Sequence, residues 1–239
     1  NALSGAERIF DIIDDQTIIK DKENALELED VKGHVQLKNV NFSYLEDTPV
    51  LKNVSIDAKP GAKIALVGHT GAGKTTIINL ITRFYDINEG EILIDGINIK
   101  DIKHASLLNH IGIVLQDTNL FHDTIYNNIR FGKLDASKEE IINACIAANC
   151  HDFINSLPDK YDTMLSRNGA NISYGQRQLL SIARTILKDP DILILDEATS
   201  SVDTITEMKI QEAIDNLIKG KTSFIIAHRL STIRNADSI

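Results

Sequence analysis

Short, continuous apolar runs rich in β-branched residues recur along the chain. They occupy positions 64–67, 111–115, 192–195 and 224–227. Strands of this kind are usually buried on both faces, as in a parallel sheet. Between them, helical patterns of apolar residues cover 74–84, 138–148, 173–187 and 204–218. This alternation predicts an α/β domain built on a parallel sheet.

A different pattern comes first. Val35, Leu37, Val40 and Phe42 roughly alternate with polar residues, and a similar alternation surrounds residue 55. Such alternation is typical of half-exposed antiparallel strands. We therefore expect an antiparallel β-subdomain on the N-terminal side of the parallel core.

The N-terminal 30 residues fall into two parts. Ser4 and Glu7 have the spacing of a capping box, which predicts a short amphipathic helix beginning there. Residues 14–30 are charged and lack a period, which is typical of a linker. We expect the main domain to begin near Val31.

Composition narrows the functional classes. Of the 239 residues, 43% are hydrophobic, which is enough for a sizeable core. The 34 acidic against 25 basic residues give a net charge of −9, which argues against nucleic acid as a partner. Cys145 and Cys150, five apart in a helical pattern, should lie on different faces as buried, reduced thiols. No apolar run approaches the ~20 residues that cross a bilayer.

The strand at 64–67 is followed by a phosphate-binding pattern, G-x-x-x-x-G-K-[ST]. Its residues are Gly68, His69, Thr70, Gly71, Ala72, Gly73, Lys74 and Thr75, with Thr76 next. Its glycines let backbone N–H groups surround phosphate oxygens, Lys74 reaches the β- and γ-phosphates, and Thr75 offers a hydroxyl to Mg²⁺. A chance match in a chain this long has a probability of about 0.01, so we predict a site for ATP and Mg²⁺.

Asp196 and Glu197 end the buried run at 192–195, at the sheet edge where ligands of α/β sheets bind. Side chains alternate along a strand, so the two carboxylates should point in different directions. That suits Asp196 as a Mg²⁺ ligand and Glu197 as the catalytic group for the attacking water.

A second helix start also has phosphate-binding character. It comprises Ser173, Tyr174, Gly175 and Gln176. Ser173 with Gln176 is a capping box, but a cap alone does not require Gly175. Because the chain already has one phosphate site at residues 68–75, a second suggests a ligand shared between two sites.

The motifs together resemble the nucleotide-binding domains of ABC transporters. The sequence at residues 113–117 and 227–232 is similar to that of the exporter branch of this family. The resemblance covers nearly the whole chain from Val31. It implies a P-loop NTPase (RecA-like) parallel-sheet core, an antiparallel β-subdomain and an α-helical subdomain at about 117–187.

The resemblance also implies roles that spacing alone does not give. Tyr44 would stack on adenine, Gln116 would contact Mg²⁺ and sense the membrane domain, and His228 would contact the γ-phosphate. Residues 173–176 would complete the ATP site of a second nucleotide-binding domain, in a homodimer with Asp203 near its seam.

Two departures from the family pattern stand out. Tyr174 replaces a glycine of the usual Leu-Ser-Gly-Gly-Gln signature, and His69 replaces a frequent proline. In addition, residues 166–169 replace a Gly-Glu-Arg-Gly-like element that contacts the membrane domain. The phosphate-facing residues remain, so we expect hydrolysis.

The resemblance also frames the chain as a fragment. Residues 1–30 would be a linker from a transmembrane domain that is absent here, and residues 31–239 a nucleotide-binding domain with a truncated C-terminus. The isolated domain would be soluble, working at the cytoplasmic face of a cell membrane.

Two alternatives remain. ABC domains of DNA repair or translation would carry long coiled-coil arms or a tandem second domain, and the compact single domain favours transport. A domain that binds ATP without hydrolysing it would show decay at Glu197, His228 or Ser173, and all three are present.

Overall fold

The computed structural model describes residues 2–13, 19–45, 48–116, 118–196, 203–227 and 233–239. Its strands are β1 (Val35–Ser43), β2 (Pro49–Ala58), β3 (Lys63–Leu66), β4 (Glu89–Ile94), β5 (Ile97–Asn98), β6 (Ile111–Val114), β7 (Ile192–Asp196) and β8 (Thr222–Ile226). Its α-helices are α1 (Ala2–Ile13), α2 (Lys74–Ile81), α3 (His104–Asn109), α4 (Ile125–Arg130), α5 (Lys138–Ala147), α6 (His151–Ser156), α7 (Tyr174–Lys188) and α8 (Thr204–Ile218). Short 3₁₀ turns lie at Ile99–Asp101, Lys160–Asp162 and Arg167–Gly169.

The four continuous apolar runs form one parallel sheet, in the order β3-β8-β7-β6. Every residue of β8 is buried, as are the first four of β7. Because these strands are parallel, the segments that follow β3, β6, β7 and β8 emerge at one edge of the sheet. The predicted α/β class is confirmed, and the edge collects the chemistry-bearing segments.

Two cores lie on opposite faces of this sheet. Successive side chains of β7 alternate between them: Leu193 and Leu195 pack with the α4–α8 side, whereas Ile192 and Ile194 pack with α2 and the antiparallel strands. The sheet is therefore the middle layer. The predicted helical region is occupied by α4, α5, α6 and α7 on one face.

The antiparallel sheet has the order β2-β1-β4-β5. Val35, Leu37, Val40 and Phe42 are buried as the pattern predicts, but the pairing of β1 with β2 shifts register between Leu37 and Val40. Asn39 lies in that interval with φ of 49°, a left-handed conformation that asparagine tolerates. The irregular spacing in the sequence is this bulge.

The N-terminal predictions need correction. Helix α1 begins at Ala2, so Ser4 is inside the helix and is not its cap. Leu28 is buried in the core, and its N–H donates to Ser106 Oγ at 2.8 Å. Buried Arg83 also donates to the carbonyl of Lys20 at 3.4 Å. The packed unit thus extends upstream of Val31.

The prediction that Cys145 and Cys150 lie on different faces is also wrong. Helix α5 ends at Ala147, and Asn149 follows in the left-handed conformation with φ of 56°. The N–H of Cys150 donates to the carbonyl of Cys145 at 2.9 Å, as in a Schellman motif, which brings these two side chains together. Both thiols are free and buried, and their mutual hydrogen bond lowers the pKa of Cys145 and raises that of Cys150.

Within the described ranges, none of the helices combines the length and apolar character needed to cross a membrane.

Candidate functional site

The phosphate-binding segment lies between β3 and α2. Gly73 caps α2 in the left-handed conformation, with φ of 88°. A Cβ at this position would lie 2.8 Å from Leu51 Cδ2, so the loop also needs glycine to approach β2. The first turn of α2 carries no acidic residue, which leaves the positive end of the helix dipole available to an anion.

Lys74 begins α2 with its side chain turned back over the loop. Its ammonium donates to the carbonyls of Gly68 at 2.7 Å and His69 at 3.0 Å. Three N–H donors sit on each lysine ammonium, so it can exchange a carbonyl for a phosphate oxygen without leaving the loop. The cation is thus placed where the predicted phosphates would bind.

Tyr44 lies just beyond β1 and is 45% exposed. Its hydroxyl donates to Thr76 Oγ1 at 3.2 Å and accepts from Asn79 Nδ2 at 3.3 Å. The rings of Phe42 and Tyr85 meet it edge-on, with centroids at 4.8 and 5.0 Å. The ring is therefore fixed beside α2 with much of its surface open to a ligand.

A cavity of about 420 Å³ joins these elements, within the size range of small-molecule sites. Nine of the sequence-predicted residues line it: Tyr44, Thr70, Gly71, Gly73, Lys74, Thr75, Thr76, Gln116 and Asp196. They come from segments following β1, β3 and β6 and from the end of β7. The structure thus brings together residues up to 152 positions apart in sequence, from Tyr44 to Asp196.

The same cavity contains oxygen donors suited to Mg²⁺. Thr75 offers a hydroxyl, Gln116 an amide oxygen and Asp196 a carboxylate, and all three line it together with Lys74. Mg²⁺ is commonly bound through one or two carboxylates together with substrate phosphates. The donor set fits that ion. No cluster of three or more histidine, cysteine or acidic residues suited to a metal occurs in the described ranges.

The catalytic candidates Glu197 and His228 lie outside the described residues. Their described neighbours are the last residue of β7, Asp196, and Ala227, which directly follows β8 and donates its N–H to the carbonyl of Leu66 at 3.2 Å. Their catalytic roles stay predictions from the sequence.

The second phosphate-like site begins α7. Ser173 and Gln176 form the predicted capping box in both directions, with Gln176 N–H donating to Ser173 Oγ at 3.2 Å and Ser173 N–H to Gln176 Oε1 at 2.9 Å. Ser173 is exposed, Gly175 is buried, and the first turn of α7 has no acidic residue. None of the residues 173–176 is among the described residues that line the cavity.

Tyr174 nevertheless reaches a residue of that cavity. Its hydroxyl donates to the backbone carbonyl of Gln116 at 2.9 Å. The sequence placed Tyr174 in the predicted partner-facing segment 173–176 and marked it as a departure from the signature, but it did not predict this contact, because no local pattern reveals a partner 58 residues away. The two predicted sites of the chain are therefore in direct contact.

Asp203, predicted near a dimer seam, caps α8. Its carboxylate accepts from the N–H of Thr206 at 3.0 Å. Hydrogen bonds from Thr206 lower the pKa of Asp203. In the structure Asp203 thus acts as the N-cap of α8. Its role at a dimer seam stays a prediction.

Comparisons with known proteins agree on one family. A family model described as "ABC transporter" matches residues 51–200. The ATP-dependent lipid A-core flippase of Syntrophus aciditrophicus (strain SB) is 52% identical over 237 residues, covering 99% of this chain and 39% of that protein. The fatty acid ABC transporter ATP-binding/permease protein of Mycobacterium tuberculosis (strain CDC 1551 / Oshkosh) is 50% identical over 239 residues, covering 100% and 38%.

Among solved structures, one described as a bacterial Atm1-family ABC exporter with ATP bound superposes with a TM-score of 0.89. It is 42% identical and covers 98% of this chain and 41% of its own. The chain thus spans about two fifths of the length of these relatives.

Proposed function

Since the chain belongs to the ABC transporter family, we propose that it is the ATP-binding and ATP-hydrolysing motor domain of an ABC exporter. The observation that carries this proposal is the convergence of nine predicted residues on one cavity at the edge of the parallel sheet. In the sequence, the predicted catalytic residues Glu197 and His228 directly follow Asp196 and Ala227.

Each element of the cavity has a task in binding ATP. The exposed ring of Tyr44 stacks on adenine, while the amino end of α2 and Lys74 hold the phosphate chain. Thr75, Gln116 and Asp196 hold Mg²⁺, which when bound offsets the charge on the β- and γ-phosphates. Glu197 orients or deprotonates the attacking water, and His228 contacts the γ-phosphate.

A second copy of the domain completes each site. Ser173 lies exposed at the amino end of α7, outside the cavity of its own chain. A hydroxyl that accepts from Gln176 N–H keeps its own proton to donate. We infer that Ser173 and Gly175 bind the γ-phosphate of ATP held by a second copy, with Asp203 near the seam between them.

The membrane-bound part of the transporter lies in other residues of a longer protein. This chain spans about two fifths of its relatives, and the fatty acid transporter among them is named an ATP-binding/permease protein. A groove of about 450 Å³ is lined by Leu120, Phe121, His122, Ser166, Arg167 and Asn168, the last three of which stand where the family usually has its membrane-domain contact. We propose that a transmembrane domain meets the chain there, at the cytoplasmic face of a membrane.

The relatives described above are a lipid A-core flippase, a fatty acid ABC transporter and an Atm1-family ABC exporter, and this favours transport over DNA repair or translation. A domain that binds ATP without hydrolysing it is distinguished by experiment. Glu197→Gln should lower the hydrolysis rate roughly 10²- to 10⁴-fold if Glu197 is a general base. An unchanged rate would remove Glu197 from the mechanism.

The same variant tests the proposed ATP-dependent dimer, because Glu197→Gln should bind ATP but hydrolyse it slowly. Light scattering after gel filtration gives the mass of Glu197→Gln with and without Mg·ATP. We expect ATP to convert a monomer into a dimer. The double variant Glu197→Gln/Lys74→Ala is the control and should stay monomeric, because it lacks the lysine that holds the phosphates. A monomer of Glu197→Gln that binds ATP would contradict the shared site.

A further inference from the structure

Tyr174 connects two segments that serve different nucleotides in the proposed dimer. Gln116, whose carbonyl accepts from the Tyr174 hydroxyl at 2.9 Å, lines the cavity of its own chain. Ser173 and Gly175, on either side of Tyr174, are assigned above to the ATP of the partner. The side chain of Tyr174 thus contacts the cavity of its own chain, whereas its backbone belongs to the segment that serves the ATP of the partner.

The direction of the hydrogen bonds makes this contact specific. Gln178 Nε2 donates to the Tyr174 hydroxyl at 2.9 Å, so that oxygen is already an acceptor. The carbonyl of Gln116 can only accept, and it therefore takes the phenolic proton. Hydrogen bonds in such a chain polarise and strengthen one another.

The ring of Tyr174 is also held in place. The guanidinium of Arg177 lies 5.6 Å from its centroid, within the range of a cation–π contact. Arg177 itself donates to the carbonyls of Gly169 at 3.3 Å and Ile172 at 3.0 Å. The ring is thus fixed to the segment that leads into α7, and a shift of Gln116 would act on a braced helix start.

A packing role alone would not need the hydroxyl. Tyr174 is half-buried, and phenylalanine would supply the same ring to Arg177. The hydroxyl is the part of the side chain that binds Gln116 and Gln178. A glycine, which the family signature usually has here, offers no side chain for either contact.

We propose that Tyr174 is a positioning residue that couples the two nucleotide sites: the placement of Gln116 when ATP binds to its own chain sets the position of the α7 start that serves the partner. This inference rests on the proposed function, since it requires ATP at the Lys74 cavity. It predicts that a nucleotide bound to a monomer changes the first turn of α7, although no partner is present.

Amide hydrogen exchange measured by mass spectrometry tests this coupling. The chain is kept dilute enough to remain monomeric, as light scattering verifies, and is saturated with Mg²⁺ and the non-hydrolysable analogue adenylyl imidodiphosphate. Saturation is established for each variant by titration. Exchange is compared over peptides covering 171–180 in the wild type, Tyr174→Phe and Tyr161→Phe. Tyr161 is the matched control, because its hydroxyl bonds to His151 at 2.8 Å beside a different cavity.

The analogue should slow exchange at the start of α7 about fivefold in the wild type and in Tyr161→Phe, which corresponds to one neutral hydrogen bond of about 1 kcal/mol. In Tyr174→Phe the slowing should be lost. An equal response in Tyr174→Phe, or no response in a wild type that binds the analogue, would overturn the coupling while leaving the proposed function intact. A wild type that does not bind the analogue would overturn both.

Discussion

Tyr44 shows how single side chains prepare the cavity before a ligand arrives. Its hydroxyl is held by Thr76 and Asn79, and its ring is held by the edges of Phe42 and Tyr85. Thr76 belongs to the same helix turn as Lys74, so the ring and the phosphate-binding segment are joined directly. Because the ring is already held in place, less conformational entropy is lost when a ligand binds.

This arrangement predicts different effects for two variants of Tyr44. Tyr44→Leu removes the stacking surface and should weaken ATP binding roughly 10- to 100-fold, since a stacked base contributes ~1–3 kcal/mol. Tyr44→Phe keeps the ring and loses only the hydrogen bonds to Thr76 and Asn79, so a loss of about fivefold is expected. Calorimetric titration with Mg·ATP measures both. Equal affinities for Tyr44→Leu and the wild type would show that adenine does not stack there.

Prediction from sequence succeeds for residues whose chemistry is local. The spacing of Gly68, Gly73 and Lys74 specifies a turn, a helix start and a cation together. Tyr44 could be singled out only by the family resemblance, because an aromatic residue at a strand end is common in any core. The contact of Tyr174 with Gln116 could not be predicted, since it depends on how α7 is placed against the end of β6.

At the scale of helices and strands, a glycine determines how closely two helices approach. Gly132 follows α4, and a Cβ there would lie 2.2 Å from the carbonyl oxygen of Arg184 in α7. Arg184 in turn donates to the carbonyl of Asn128 at 2.8 Å, and burial lowers its pKa. The close approach thus also places the half-buried guanidinium of Arg184 against α4.

Gly132→Ala should therefore lower the free energy of unfolding by about 1–3 kcal/mol, because the two backbones must separate. Urea unfolding should show a lower midpoint with an unchanged slope. Gly5→Ala is the control: among the described residues, no atom outside its own helix lies within 4 Å of the added Cβ, so alanine in α1 should be neutral or stabilising. A Gly132→Ala chain as stable as the wild type would refute the close approach.

The capping box of α5 predicts a pH dependence. Hydrogen bonds from Lys133 and then from Ser137 lower the pKa of Glu140 from 4.5 to about 2. The folded value lies below the unfolded one, so this stabilisation is present above pH 4.5 and is lost as the pH falls towards 2. Glu140→Gln keeps an acceptor for Ser137 but loses the charge that pairs with Lys133.

The Tm difference between the wild type and Glu140→Gln should thus be largest above pH 4.5 and should vanish near pH 2. Thermal scans at several pH values measure it. Glu139→Gln, one residue earlier in the same turn, is the matched control for removing an acidic residue near the helix start. A difference that is constant with pH would exclude the proposed pairing with Lys133.

Helix and strand boundaries show where local patterns give incomplete predictions. The starts of α2, α5, α7 and α8 lie within one residue of the starts of the helical patterns in the sequence, because a continuous apolar period marks the first turn. Helix α1, in contrast, begins two residues before Ser4, which the sequence indicated as its cap. The turn after α5 brings Cys145 and Cys150 together because Asn149 adopts a left-handed conformation, which a helical pattern does not reveal.

At the scale of the whole molecule, the cavity joins two sheets that the sequence presents as separate units. Tyr44 follows a strand of the antiparallel sheet, whereas Lys74, Gln116 and Asp196 belong to or follow strands of the parallel one. The two sheets share a core through residues such as Leu37 and Phe224. The apolar pattern predicted each sheet, but their relative placement follows from this shared packing.

A ligand that contacts both sheets should therefore stabilise both. Mg·ATP at 100 times its Kd adds about 2.7 kcal/mol to the free energy of unfolding, which should raise Tm by roughly 5–10 °C for a chain of this size. Calorimetric scans should show a single transition that moves as a unit. In Lys74→Ala the lost charge-assisted hydrogen bonds, ~1.5–3 kcal/mol, should reduce the shift to between about a half and a tenth of its wild-type size at the same ATP concentration. Two transitions, of which ATP moves only one, would mean that the nucleotide contacts a single sheet and that Tyr44 lies outside its site.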